Sequence, residues 1–328
     1  MWFGFIPPQY MYNRRKFLKI VLDPPNFEPG SWVGAGNVVY DYFDKKFIMA
    51  VRFRKGPPAR GYATGIFTSK NGEDFELKKE ITKEELTDFT GKKVYSIEGV
   101  QVLRDPLTSL YYLYVSIDDG DGWETILLTS RNLVDWDFKG TVLERGLTFD
   151  SNEARDIVVG IVDGTYFMLY KAGSRLKVNT ALAVSSDGIR WRKLGVPTIE
   201  GEEQPEYFQL SGTIFPSTRG PLFIGLARRY VVNGCGIAKH FEAYIIDYKN
   251  MDLENVFRVR WKPLSEYEMP THPTHGYSSI VYDPLKNRFL IYLETLDPKY
   301  TKEVGWRTQV DRWILYEVPL PPSYRLQL

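Results

Sequence analysis

The sequence predicts an all-β fold, a five-bladed β-propeller. Strand-like runs dominate and helical periodicity is nearly absent. One inner-strand pattern recurs five times, roughly 55 to 66 residues apart. A Ser–turn–aromatic motif follows it in three of the copies. Radial repetition lets one domain reach 328 residues without enlarging a single core.

Residues 1–31 precede the first copy and are expected to form a strap that closes the ring. Blade one, about 32–80, reads Gly36-Asn37-Val38-Val39-Tyr40, then Phe47-Ile48-Met49-Ala50-Val51-Arg52. Blade two, about 95–143, reads Glu98-Gly99-Val100-Gln101-Val102, then Tyr111-Tyr112-Leu113-Tyr114-Val115-Ser116. Blade three, about 150–198, reads Arg155-Asp156-Ile157-Val158-Val159, then Tyr166-Phe167-Met168-Leu169-Tyr170-Lys171. Blade four, about 205–262, reads Ser211-Gly212-Thr213-Ile214-Phe215, then Leu222-Phe223-Ile224-Gly225-Leu226-Ala227. Blade five, about 274–318, reads Tyr277-Ser278-Ser279-Ile280-Val281, then Arg288-Phe289-Leu290-Ile291-Tyr292-Leu293. Turn residues such as Asp44-Lys45-Lys46 and Asp163-Gly164 separate each pair, as hairpins require.

The second motif starts at Ser69, Ser130 and Ser185 and ends at Phe75, Trp136 and Trp191. Asn or Asp after the Ser makes a tight turn, and the aromatic folds back beneath it. This predicts a structural staple. One helix is expected near Thr82-Lys83-Glu84-Glu85-Leu86-Thr87, with Thr82 as N-cap and Glu85 completing a capping box.

Net charge is +1, so no global field draws nucleic acid or an anionic membrane, and neither is an expected partner. No run of 18 apolar residues is present to span a bilayer. Basic residues follow the apolar start, the reverse of a secretory signal, so a cytoplasmic protein is expected. The single cysteine, Cys235, excludes an intrachain disulfide. No His or Asp stands beside it in sequence, so no nucleophilic role is expected of it. Aromatics make up 15% of the chain, which favours strands and also suits sugar stacking. Trp32, Trp123 and Trp306 fall in loops and are candidate stacking platforms, whereas Trp136 and Trp191 belong to the staple.

With its repeat, its second strands and its Ser185-Ser186-Asp187-Gly188-Ile189-Arg190-Trp191 turn, the chain resembles the furanosidase-type glycosidases. These include glycoside hydrolase families 43, 32, 68 and 130, and the resemblance covers about residues 32–318. It implies an active site at one mouth of a central channel, built from the starts of the inner strands. Glycosidic cleavage needs two carboxyl groups across the scissile bond, one protonated and one ionised.

Ser96-Ile97-Glu98-Gly99 is similar to the family 43 segment that carries the general acid, with Val100 in place of its proline. Ala154-Arg155-Asp156-Ile157 is similar to the Arg-Asp-Pro segment of families 32, 43 and 68, whose aspartate stabilises the transition state or orients the sugar. Thr274-His275-Gly276 resembles the Gly-His segment of family 43. The resemblance puts a base or nucleophile aspartate at the start of blade one, and Asn37 stands there. Asn37, with Arg52 and Arg54 on the next strand, is closer to family 130, mostly phosphorylases of β-mannosides. The acid of that family is an aspartate, and Gly99 occupies its place.

The candidate catalytic residues are therefore Glu98 as proton donor, with Asp156 or Glu206 as ionised partner. Asn37, Arg52, Glu153, Lys171 and His275 are candidate substrate-binding residues. Arg52 and Arg54 share a strand face and suit phosphate or a carboxylated sugar, with outer ion pairs as the structural alternative. His272 and His275 lack an evident third ligand, so no metal and no cofactor is expected. The expected function is a glycoside hydrolase cleaving the non-reducing end of a small oligosaccharide or furanoside. One alternative is a β-mannoside phosphorylase with phosphate as co-substrate, bound by Arg52, Arg54, Lys171 and His275. The other is a non-catalytic carbohydrate-binding propeller.

Overall fold

A computed structural model describes residues 7–175 and 177–322. A short helix, α1 (Pro8–Arg14), leads into strand β1 (Lys16–Leu22). Of the twenty further strands, nineteen group by hydrogen bonding into five antiparallel meanders. The first is β2 (Trp32–Asp41), β3 (Lys46–Lys55), β4 (Arg60–Ser69) and β5 (Glu76–Thr82). Helix α2 (Lys83–Thr90) follows, and the expected capping box is present: Glu85 N–H donates to the Thr82 hydroxyl, and Glu85 accepts from Thr82 N–H. The second meander is β6 (Ser96–Arg104), β7 (Tyr111–Asp118), β8 (Trp123–Ser130) and β9 (Asp137–Leu143). The third is β10 (Glu153–Val162), β11 (Thr165–Gly173), β12 (Val178–Ser185) and β13 (Arg192–Gly195).

After the two-residue β14 (Thr198–Ile199), the fourth is β15 (Gln209–Ser217), β16 (Gly220–Val232), β17 (Cys235–Asp247) and β18 (Asp252–Arg260). The fifth is β19 (Thr274–Asp283), β20 (Arg288–Leu296) and β21 (Asp311–Pro319), completed by β1 from the start of the chain. Isolated pairings between meanders, such as Trp32 with Asp311 and Glu153 with Trp123, knit them into sheets of 13 and 8 strands.

Side-chain alternation explains why the second strands read as unbroken apolar runs: both of their faces are covered. Phe47, Met49 and Val51 of β3 pack against Leu290, Tyr292 and Trp313 of the fifth meander. Ile48 and Ala50 turn the other way, onto Val100, Leu113 and Val115 of the second. The same pattern places Tyr112 and Tyr114 on Met168 and Tyr170, Phe167 and Leu169 on Phe223 and Tyr244, and Ile224 on Ile291 and Leu293. Each meander thus shares an apolar seam with the next, and the last shares one with the first.

The Ser–turn–aromatic motifs are staples, as their chemistry requires. The Ser69, Ser130 and Ser185 hydroxyls accept turn N–H groups, and the indoles of Trp136 and Trp191 donate to the turn carbonyls of Leu133 and Gly188. They also tie neighbouring meanders: Tyr292 donates to Gly72 O at 2.6 Å and Tyr114 to Gly188 O at 2.7 Å.

Asn37 has a different job from the one its position in the repeat suggested. Its side chain is buried between β2 and β6, donating to Val102 O at 2.8 Å and accepting from Val102 N–H at 2.7 Å. Asn37→Ala leaves both main-chain groups buried without a partner, and is expected to cost about 2 kcal/mol in equilibrium denaturation. Asn37→Asp is expected to gain no activity in a glycoside assay, because the side chain is engaged with Val102 main chain.

Candidate active site

The first strands of four meanders carry a bulge near their entry, and these bulges build the site. Two residues are skipped between Gly34 and Asn37, between Ile97 and Val100, and between Arg155 and Val158; three are skipped between Thr274 and Ser278. A bulge releases residues from the ladder and re-aims their side chains. Glu98, Asp156 and His275 are such residues. In register with Glu98 and Asp156, the blade-one position is Ala35, two residues before Asn37. Ala35 (φ 49°) and Asp156 (φ 53°) both adopt the left-handed conformation that non-glycine residues rarely take.

A cavity of about 350 Å³ opens at these bulges. Glu98, Asp156, Lys171 and His275 line it, as do Trp32, Trp123 and Trp306, so these sequence-predicted residues are brought together. Two others are near but behind the wall. Arg52 is fully buried and pairs with Glu98 and, at 3.3 Å, with Glu294. Glu153 pairs with Lys171 at 2.7 Å and Arg155 at 3.0 Å. Glu206 is not brought to the site: it is exposed, and β15 begins only at Gln209, beyond it. The neighbouring Tyr207 lines the cavity instead.

Glu98 meets guanidiniums on three sides rather than the apolar neighbours its flanking sequence suggested. Besides Arg52, Arg54 and Arg155 each lie 3.9 Å from Glu98 Oε1. Arg155 Nη1 is also 3.7 Å from Asp156 Oδ2. One nitrogen therefore lies between the two carboxylates, so the oxygens it meets are less than about 8 Å apart, below the upper end of the range for glycoside-cleaving carboxyl pairs. Asp156 accepts from Gly99 N–H and from Gln209 Nε2, each at 3.0 Å. Burial alone would raise its pKa, but Arg155, Lys171 and Arg228 hold it well below the usual carboxylate range. The arrangement offers an ionised Asp156 facing a cation-bound Glu98.

The tryptophans are in the wall, yet each has a guanidinium over its ring: Arg54 over Trp32 at 4.2 Å and Arg155 over Trp123 at 4.1 Å. Arg228 lies 4.0 Å from the Tyr277 ring and donates to Gln209 at 2.9 Å, while its Nε and Nη2 have no hydrogen-bond partner among the described residues. Burial pulls Arg54 down to about 10, Arg52 and Arg60 adding to the effect against Glu98. Among the described residues Arg54, Arg60, Arg155, Lys171 and Arg228 stand in this wall with Glu98 and Asp156, while just outside it Asp118 pairs Arg60 and Glu153 pairs Lys171 and Arg155, leaving a small surplus of cations.

Beneath the wall lie groups that the strand pattern did not single out. Glu294 and Asp311 are fully buried and face His275 Nδ1 at 3.1 and 2.6 Å. Glu294 also accepts from Ala35 N–H at 2.5 Å, and a side chain at Gly34 would collide with it at 2.2 Å. The one available signal for Glu294 was a charge ending the apolar run Phe289-Leu290-Ile291-Tyr292-Leu293. His275, Glu294 and Asp311 bring donor atoms within 4.8 Å of one another. Arg52, Gln309 and Ala35 N–H already bond to their carboxylates, and Asp311 Oδ1 is left without a partner among the described residues. The His275 Nε2 faces Cys235 Sγ at 2.9 Å, an approach that sequence distance had hidden.

Glu153 makes the wall acid-sensitive. Burial would raise its pKa, but Arg155 and Lys171 hold it down to about 2, against an ordinary value of 4.5. Because the folded value lies below the unfolded one, this stabilisation is complete above pH 4.5 and is lost as pH falls toward 2. Lys171→Met is expected to be less stable than wild type near neutrality, the gap narrowing as pH falls to about 3. Denaturant midpoints across that range measure it.

No protein-family model matches the sequence, and no curated protein is similar to it. Solved structures do share the fold. A thermostable family 43 glycoside hydrolase aligns with a TM-score of 0.62 at 11% identity, over 88% of this chain and 91% of that one. A member of the family 130 mannoside phosphorylases, in a group containing hydrolases that target β-1,2-mannosidic linkages in Candida mannan, aligns with a TM-score of 0.58 at 15% identity, over 91% and 93%. The β-1,2-mannobiose phosphorylase of Listeria innocua aligns with a TM-score of 0.55 at 13% identity, over 90% and 94%. The chain has the all-β fold of the propeller glycosidases.

Proposed function

We propose that this chain is a glycoside-processing enzyme on a five-bladed propeller, the five meanders being its blades. The observation that carries the reading is one cavity in which Glu98 and Asp156, bridged by Arg155, sit at the bulged entries of neighbouring inner strands. In hydrolysis at the end of a small glycan, Glu98 would donate the proton to the departing oxygen, which requires the incoming sugar to draw it out of its ion pair with Arg52. Asp156, held ionised, would face the positive charge developing on the sugar. The fold shared with family 43 and family 130 enzymes supports the class of chemistry by analogy.

One observation favours phosphorolysis as a second reading. The wall carries a surplus of cations, and Arg228 keeps two buried donors unpaired. Phosphate would satisfy such donors and relieve the crowding of Arg54 by Arg52 and Arg60. Incubation with arabinosides, xylosides and β-mannosides, with and without phosphate, separates the readings. Free sugar released without phosphate supports hydrolysis, and sugar phosphate released only with phosphate supports phosphorolysis. Saturable glycan binding without cleavage of any of them would instead make this a carbohydrate-binding propeller.

A further inference from the structure

Cys235, His275 and Asp311 form a line that no glycoside chemistry in the cavity uses. Cys235 opens β17, is 3% exposed, and lines the cavity. Its Sγ lies 2.9 Å from His275 Nε2, and His275 Nδ1 lies 2.6 Å from Asp311 Oδ2. Asp311 accepts from Nδ1–H, which leaves Nε2 facing the sulfur, where it can take the thiol proton and be stabilised as a cation by Asp311. A nucleophile, a base within reach and a third group that orients the base are the parts of an activated thiol. The groups facing Cys235 are His275 from β19 and Arg54 from β3; those facing His275 are Asp311 from β21, Glu294 from β20 and Gln309.

A second, separate observation says what the site would take. Arg228 is 3% exposed, lines the same cavity, packs on Tyr277 and bonds Gln209, and among the described residues its Nε and Nη2 have no geometric hydrogen-bond acceptor. Buried donors of this kind call for an anion. Gly276 lets Arg228 lie there, since a Cβ at that position would come within 2.4 Å of Arg228 Nε.

We propose that Cys235 is a nucleophilic thiolate of this cavity, with His275 as its proton acceptor and Asp311 as the positioning residue, and that it reacts with small carbon electrophiles bearing a carboxylate. With iodoacetate, the sulfur lone pair forms the S–C bond, the C–I bond breaks, and iodide leaves. The thiol proton stays on His275 Nε2 until solvent removes it. No sugar enters this reaction, so its outcome is independent of the glycoside reading.

The test is alkylation of the whole protein followed by mass. Cys235 is the single thiol in the chain, so each adduct reports on it alone, and Cys235→Ser supplies the blank. Native protein is expected to take one carboxymethyl group, reacting with iodoacetate about tenfold faster than with iodoacetamide because the cationic wall concentrates the anion. The urea-unfolded chain serves as the reference without that preference. His275→Gln is expected to slow labelling of the native protein by both reagents, since the thiol then loses its proton acceptor. Arg228→Met is expected to remove the preference for iodoacetate while leaving the iodoacetamide rate. A native protein that is not labelled overturns the proposal. So does one labelled by both reagents at the unfolded chain's rates.

Discussion

Asp156→Asn is expected to lower the rate of glycoside cleavage by about two to four orders of magnitude, the share usually carried by a positioned acid or base. The substitution is informative because it isolates charge from shape. An amide at position 156 can still accept from Gly99 N–H, while its NH2 replaces the oxygen that Gln209 Nε2 bonds, and Arg228 holds the Gln209 amide from turning, so one hydrogen bond is lost with the charge. What disappears is the negative charge that Arg155, Lys171 and Arg228 hold in place. Glu98→Gln should act similarly on rate, with an added loss of stability because Arg52 gives up one of its two carboxylates. Initial rates on whichever glycoside is cleaved, with the fold checked by thermal melting, decide the matter. An Asp156→Asn enzyme as fast as wild type would remove Asp156 from the chemistry.

Glu294→Gln is expected to be the most destabilising single change in the site, costing about 3 kcal/mol. Glu294 is fully buried and serves Arg52, His275 and Ala35 N–H together. A buried guanidinium that loses a partner keeps its desolvation cost and loses part of the compensation. Glutamine preserves volume and can keep the bond from Ala35, so the loss reports on charge and not on a void. Equilibrium unfolding in urea measures it. A loss no larger than that of a surface substitution would show that Arg52 is satisfied by Glu98 alone.

The repeat was legible because strands covered on both faces must be apolar throughout, and Phe47 to Val51 and Phe289 to Leu293 announce that directly. The staples were legible because Ser, Asn or Asp and an aromatic at fixed offsets have one physical use. Glu98, Asp156 and His275 could be found because strand entries converge, whatever the details of pairing. The bulges could not be found. Nothing in Gly34-Ala35-Gly36-Asn37 marks where the ladder skips two residues, so Asn37 was matched to Glu98 when Ala35 is its partner in register. Glu206 was misjudged for the converse reason: β15 has no bulge and starts later. The Cys235–His275–Asp311 line joins residues 40 and 36 positions apart on three strands, and only topology brings them together.

Strand β1 sets the timetable of folding. Lys16 pairs with Glu317 and Leu22 with Trp313, so β1 waits for a strand made roughly 300 residues after it. Such distant pairing carries a high entropic toll and slows the final step, while local hairpins can form as the chain emerges. Until β21 arrives, β1 is an orphan edge and the apolar seam between the fifth and first meanders lies open. Nascent chains are therefore most vulnerable to aggregation and proteolysis before β21 is made, at that seam. A chain rejoined at its ends and reopened in a loop between two other meanders would move that vulnerable moment elsewhere.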